Sequence, residues 1–270
     1  MPDSNPSLIK TVVLTGAAGR LAQFIRPMLA SCAAEVRLCD KVDTEPLFPN
    51  ERSFSCSLED SDSVSELLQD ATAIVHFAGY PREGDWDVIL ASNIVPVATL
   101  WEEARRARVG RIVYASSNHA VGLYPRSTVL NGTETPKADS RYGISKVFME
   151  TVAQYYSDKH CISGFGIRIG HCAEKPTDAR MLSHWISPRD LAHMVHLGLT
   201  ASYQSELVFG VSRNSRSWWN NDRAAELGYC PKDSSDDFYD EVASKTTADP
   251  IAEYFQGGSF ASFQYENSIP

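Results

Sequence analysis

Ser117, Tyr142 and Lys146 have the side-chain types and spacing that suit proton transfer at an alcohol. They lie in the stretches Tyr114-Ala-Ser-Ser-Asn-His-Ala-Val-Gly122 and Arg141-Tyr-Gly-Ile-Ser-Lys-Val-Phe-Met-Glu150. On a helix, Tyr142 and Lys146 fall one turn apart on one face, so the ammonium can sit beneath the phenol. Free tyrosine, with a pKa of about 10, offers little phenolate at neutral pH, and lowering that pKa by about 3 units takes roughly 4 kcal/mol of preferential stabilisation of the anion. The lysine charge acts in that sense, and Ser117 would hold the reacting oxygen while Tyr142 takes its proton. A Tyr-x-x-x-Lys spacing also arises by chance on exposed helices, so its weight depends on what lies upstream.

Those side chains need a frame. Met1 to Ser7 is short, polar and proline-containing, and reads as a disordered leader without the apolar core of a signal peptide. The β-branched run Ile9–Leu14 then breaks into Thr15-Gly-Ala-Ala-Gly-Arg-Leu-Ala22, followed by an amphipathic stretch, Leu21 to Ala30. Strand, glycines and helix in that order are what a dinucleotide loop needs: Gly16 for the turn, Gly19 for close approach of backbone to a pyrophosphate, and a helix start for its charge. Ala22 stands where a third glycine often does, and is small enough for the same packing. The strand Glu35–Cys39 ends at Asp40, an acid placed to bond ribose hydroxyls and repel a 2′-phosphate, which favours NAD over NADP; the alternative is an ordinary turn aspartate.

Further on, a strand over 54–58, a helix over 61–69, the strand Ala73–Phe77 and a long helical stretch from Trp86 to Arg108, bent or divided at Pro96, continue a β-α alternation. Strand 111–115 delivers Ser117 at its carboxyl end, where open α/β sheets bind ligands. A helix over 141–160 and a strand over 164–169 follow. Beyond them come a helix over 188–200 capped by Ser187, a strand over 207–211 and a helix from about 217 to 227. The expected architecture is α/β, a Rossmann-type doubly wound parallel sheet over about 9–170 with a small, mainly substrate-binding portion over about 171–270. At 270 residues and 43% hydrophobic content there is material for one sizeable core and a small cap. A net charge of -9 argues against nucleic acid and anionic membranes, and no apolar run approaches a membrane span. Six scattered cysteines without a C-x-x-C point to free thiols, a reducing cytoplasm and no metal site. His76 reads as structural or as a neighbour of the cofactor loop. His119 and His171 are open to packing or substrate contact, and Trp218 and Trp219 to packing or sugar stacking. The aromatic tail 257–266 would suit contact with another subunit in a homo-oligomer.

The order Thr15-Gly-x-x-Gly, Asp40, His76-Phe-Ala-Gly79, Ser117 and Tyr142-x-x-x-Lys146 resembles the extended short-chain dehydrogenase/reductases. Ser116-Ser-Asn-His119, Arg168-Ile-Gly170, Arg180-Met-Leu, Trp218-Trp, Pro231-Lys-Asp-Ser-Ser235 and Gln256-Gly-Gly resemble the bacterial uronate dehydrogenases more narrowly. The resemblance runs from about residue 9 to 260. It implies oxidation of a hexuronic acid at C1 to an aldarolactone with NAD. Tyr142 would be the base, Ser117 would steady the oxygen, and Lys146 would hold the nicotinamide ribose and lower the phenol pKa. Cofactor contacts would come from Gly16, Ala18, Gly19, Arg20, Leu21, Asp40, Ser57, Leu58, Phe77, Ala78, Gly79, Lys146 and Ile169. Ser117, Asn118, His119, Tyr142 and His171 would meet the sugar, and Arg180 its carboxylate. Three positions depart from the family pattern: Ser57 replaces an adenine-holding Asp, and Pro81 and His171 replace substrate-contacting serines. A sister dehydrogenase or an epimerase acting on another sugar or alcohol, and a non-enzymatic NAD sensor, are the rival readings.

Overall fold

The computed structural model describes residues 8–269; the leader expected over Met1–Ser7 lies outside the described residues. Its strands are β1 (Ile9–Thr15), β2 (Ala33–Asp40), β3 (Glu51–Ser55), β4 (Ala73–His76), β5 (Arg111–Ser117), β6 (Ser163–Ile169), β7 (His171–Cys172), β8 (Trp185–Ile186) and β9 (Ser205–Gly210). Seven of them form one sheet in the order β3-β2-β1-β4-β5-β6-β9, and each neighbouring pair is parallel. β7 and β8 make a separate parallel pair. The doubly wound expectation therefore holds, because strands that are apolar on both faces must be covered on both.

The helices supply that cover: α1 (Arg20–Cys32), α2 (Ser61–Leu67), α3 (Trp86–Ile89), α4 (Val95–Arg106), α5 (Arg141–His160), α6 (Met181–His184) and α7 (Pro188–Thr200), then the short α8 (Asp222–Glu226), α9 (Tyr239–Val242), α10 (Pro250–Tyr254) and α11 (Ser259–Ser262). Val12, Leu14 and Val113 point to one side, against Ile25 and Leu29 of α1 and Leu191 and Met194 of α7. Val13, Ile74 and Ile112 point to the other, against Leu67 of α2, Leu100 and Trp101 of α4, and Met149 of α5. All of these are buried, each contributing roughly 1.5–3 kcal/mol. The order of strand addition reverses between β1 and β4, so a crevice opens beyond their carboxyl ends.

Two local expectations change and a third holds. The edge strand β3 sits at Glu51–Ser55 rather than 54–58, because Glu51 is drawn inward by a buried ion pair with Arg26 at 2.6 Å, and Ser57 begins a turn instead. The long helix expected over 86–108 does divide before Pro96, through a π-helical turn at Leu90–Ile94. Proline offers no N–H to the preceding turn and crowds its carbonyls, so the ladder widens there. Within this turn, the Asn93 side chain clamps both the N–H and the carbonyl of Tyr80 and reaches Ser145 on α5. Finally, Trp218 and Trp219 do not open a helix. Ser217 and Asn220 side chains take backbone N–H groups, the chain runs extended beside Leu130, and Trp219 stacks on Phe209 at 4.7 Å. Both tryptophans are buried packing residues.

Candidate functional site

β5 carries Ser117 to the carboxyl edge of the sheet, where its hydroxyl accepts the His119 N–H at 3.2 Å and starts a 3-10 turn over Asn118–Val121. α5 meets this turn with its first residues. Ser140 caps the helix by accepting the Gly143 N–H at 2.9 Å, and Glu83 accepts the Tyr142 N–H at 3.1 Å while pairing with Arg141 at 3.0 Å. Gly143 permits the close approach, since a Cβ there would lie 2.3 Å from the His119 carbonyl oxygen. Tyr142 and Lys146 are thereby buried, on the same wall as Ser117. The Lys146 ammonium donates to the Ala115 carbonyl at 2.8 Å and stands 5.3 Å from the centre of the Tyr142 ring.

Burial dominates the electrostatics of this wall. It pushes the Tyr142 phenol up to about 12, with the Asp139 charge acting in the same sense and a hydrogen bond to Ser117 against it. Burial also brings Lys146 down to about 8, opposed by Glu150. Burial thus sets the phenol against ionisation, and a depressed phenol needs positive charge close to its oxygen.

Two adjoining cavities, of about 330 and 300 Å³, share the wall from Phe77 to Pro81. Gly16, Gly19, Asp40, Leu58, Phe77, Ala78 and Gly79 line the first. Gly16 has φ +73, and a Cβ would lie 2.6 Å from the Ala78 nitrogen, so no other residue fits there. Gly19 leaves the start of α1 without a side-chain cap. The exposed Ala18 donates its N–H to Asp40 at 3.1 Å. Arg20, Leu21, Ser117, Asn118, His119, Tyr142, Lys146, Ile169 and His171 line the second cavity, together with Phe77, Ala78 and Gly79. Burial, with Arg20 nearby, lowers the His171 pKa.

Three expected residues, Ala18, Ser57 and Arg180, line neither cavity. The Ser57 hydroxyl accepts the Glu59 N–H at 3.3 Å in a turn. The Arg180 guanidinium bonds His184 at 2.8 Å and the Gln256 carbonyl, and lies over the face of Trp218. Its Nε is buried without a partner, as is the Asn118 Nδ2. His76 is buried against Thr15 and Trp101, which holds its pKa at about 3, so it is a structural residue beside the loop.

The sequence reading missed Asp139, Glu83 and Phe260. Phe260 lines the second cavity and stacks on His119 at 4.0 Å. The expected intersubunit tail thus turns inward at its start: the Gly257 N–H bonds the Gly122 carbonyl at 2.8 Å and Gly258 adopts φ +63. The Gly257-Gly258 pair, in a position that only flexible backbone could occupy, was the available signal. All six cysteines are free thiols, Cys39 and Cys56 lying 3.0 Å apart at the first cavity. Among the described residues no cluster of three or more His, Cys, Asp or Glu could hold a metal, and no helix is long and apolar enough to cross a membrane.

Residues 12–226 match the model of the NAD dependent epimerase/dehydratase family. The chain belongs to that family. A uronate dehydrogenase of Pseudomonas putida is 39% identical over 93% of this chain and 95% of its own length. A solved uronate dehydrogenase mutant from Agrobacterium tumefaciens, complexed with NAD, superposes with a TM-score of 0.89 at 35% identity, over 94% of this chain and 97% of that one. A glucuronic acid dehydrogenase from Chromohalobacter salexigens has the same TM-score at 39% identity, with the same coverage. The chain is an NAD-dependent oxidoreductase, with NAD as its cofactor.

Proposed function

We propose that the chain oxidises a hexuronic acid, D-glucuronate or D-galacturonate, at C1 of its cyclic form, giving the aldarolactone. The observation that carries this is the second cavity: Ser117, Tyr142 and Lys146 share it with Asn118, whose Nδ2 is a buried donor with no partner. Such an orphan costs about 1–3 kcal/mol unless a ligand satisfies it. The first cavity fits the cofactor, since only glycine is accommodated at Gly16 and the α1 N-terminus offers uncapped N–H groups to a pyrophosphate. Asp40 would take the ribose hydroxyls and Leu58 would flank the adenine; Ser57 keeps a hydroxyl but brings no charge.

In this reading Tyr142 accepts the proton of the C1 hydroxyl while Ser117 holds that oxygen, and NAD, when bound, receives the hydride. Lys146 orients the nicotinamide ribose through its ammonium. Tyr142 also needs the positive nicotinamide ring to overcome the burial that holds its phenol up, which makes formation of the base depend on the cofactor. Asn118, His119 and His171 meet the sugar hydroxyls. Arg180 would take the carboxylate by turning its guanidinium from His184 and the Gln256 carbonyl toward the second cavity. Residues of about 9–170 then hold chiefly the cofactor and those of about 171–270 complete the substrate pocket. Carbon-13 NMR of the reaction tests this: an aldarolactone should appear in step with NADH. A product altered at C4 or C5 without NADH would instead indicate an epimerase.

A further inference from the structure

His119 is gripped from three sides. Its Nδ1 lies 2.7 Å from Asp139 Oδ2, its face is covered by Phe260, and Tyr142 presents an edge at 5.7 Å. Asp139 is itself fixed. Its side chain has no solvent exposure, Oδ1 accepts the Ser140 hydroxyl at 2.7 Å, and its backbone N–H donates to the His119 carbonyl at 3.2 Å. Space for the carboxylate exists only because Gly122 and Gly257 lack side chains; a Cβ on either would come within 1.8 or 2.0 Å of Oδ2. An ionised carboxylate accepts hydrogen bonds and cannot donate, so the ring proton stays on Nδ1 and Nε2 is left on the side away from Asp139. His119 lines the cavity, and its side chain keeps 15% exposure there.

We infer that Asp139 is a positioning residue: through Nδ1 it fixes the tautomer of His119, so that the neutral ring presents a bare Nε2 acceptor to a hydroxyl group of the substrate. Phe260 sets the plane in which that acceptor points. This rests on the second cavity being the sugar site, and it deepens that reading. The group meeting His119 is an O–H donor, so the carboxylate lies elsewhere in the pocket. The other titratable or charged groups near the ring or its carboxylate are Tyr142 on α5, His171 on β7, and Arg180 and His184 at α6.

Nitrogen-15 NMR of the histidine rings in the ligand-free protein tests the tautomer without any substrate, with His119→Gln giving the assignment. The neutral His119 should carry its proton on Nδ1. Asp139→Ala should shift it toward Nε2, and Asp139→Asn, whose carbonyl can accept the same proton, should restore it. In turnover, Asp139→Ala should raise KM about tenfold, the equivalent of about 1.4 kcal/mol, with kcat changing much less. In the His119→Gln background it should add almost nothing. An Nε2-protonated ring in the wild type would overturn the inference, as would a KM effect that persists undiminished without His119. If Asp139→Ala does not fold, Asp139→Asn with the same cycle decides. Should the wild type oxidise no sugar acid, the NMR result still stands or falls by itself, so failure of the substrate reading is distinguishable.

Discussion

At one end of the cleft Gly16, Gly19 and Asp40 come from a single β1-α1-β2 unit of consecutive residues. At the other, Ser117, Tyr142, His171 and Phe260 arrive from four separated segments. The first end is held by backbone: a glycine turn, an uncapped helix start and a strand-end acid that already bonds the Ala18 N–H. The second is held by side chains bonding other side chains and distant carbonyls, as in His119–Asp139, Arg180–His184 and Gln256–Trp219. A local backbone device can be inherited unchanged while a side-chain assembly is retuned residue by residue. Pro81 and His171, two of the departures from the family pattern, line the second cavity.

If the two ends are separable, substitutions should affect one set of constants and spare the other. The largest effect is expected from Tyr142→Phe, which should lower kcat by about 10²–10⁴-fold while NAD binding, measured by calorimetry, stays within a few-fold. Retained turnover would remove Tyr142 from the chemistry. Next, Arg180→Ala should raise KM for uronates by roughly 10–100-fold, the scale of a lost charged hydrogen bond of about 1.5–3 kcal/mol, and leave the Kd of NAD alone. A loss of NAD binding there would join the two ends. Asp40→Ala should act in the opposite pattern, weakening NAD by about tenfold and narrowing the preference over NADP, with little change in the KM of the sugar.

The smallest effect concerns the frame that both ends share. His76 has a pKa of about 3 in the folded chain, against an ordinary value of 6.5. The unfolded state therefore binds a proton first as pH falls, and the stability contributed by neutral His76 is full above about pH 6.5 and lost progressively toward pH 3. Thermal melts of His76→Gln should show a shallower decline over that window than the wild type. An identical decline would assign acid lability to other groups.

Legibility followed the same division. The order of strands, the Gly16–Gly19 turn and the 141–160 helix could be read because each is specified by neighbours in sequence, and apolar periodicity sufficed. β3 was misplaced because an edge strand needs little apolar pattern, and its register is set by the Arg26–Glu51 pair across 25 residues. The tryptophan pair was read as helical because nothing local reveals that Leu130 and Phe209 await it. Asp139 and Phe260 were invisible for the same reason: each matters through His119, a partner 20 residues away or far more. Arg180 carried a family signature, yet its engagement with His184 and Gln256 depends on a glycine, Gly258, that no helix or strand pattern would single out.

The most direct measurement is the initial rate of NADH formation by the wild type with D-glucuronate and D-galacturonate, set beside the corresponding neutral aldoses. Oxidation of the uronates with kcat/KM at least about 100-fold above the aldoses is the expected result, given a carboxylate held by Arg180. NAD binding without oxidation of either uronate, or equal rates on acid and neutral sugars, would contradict the account and show that Pro81 and His171 have turned the pocket to another substrate.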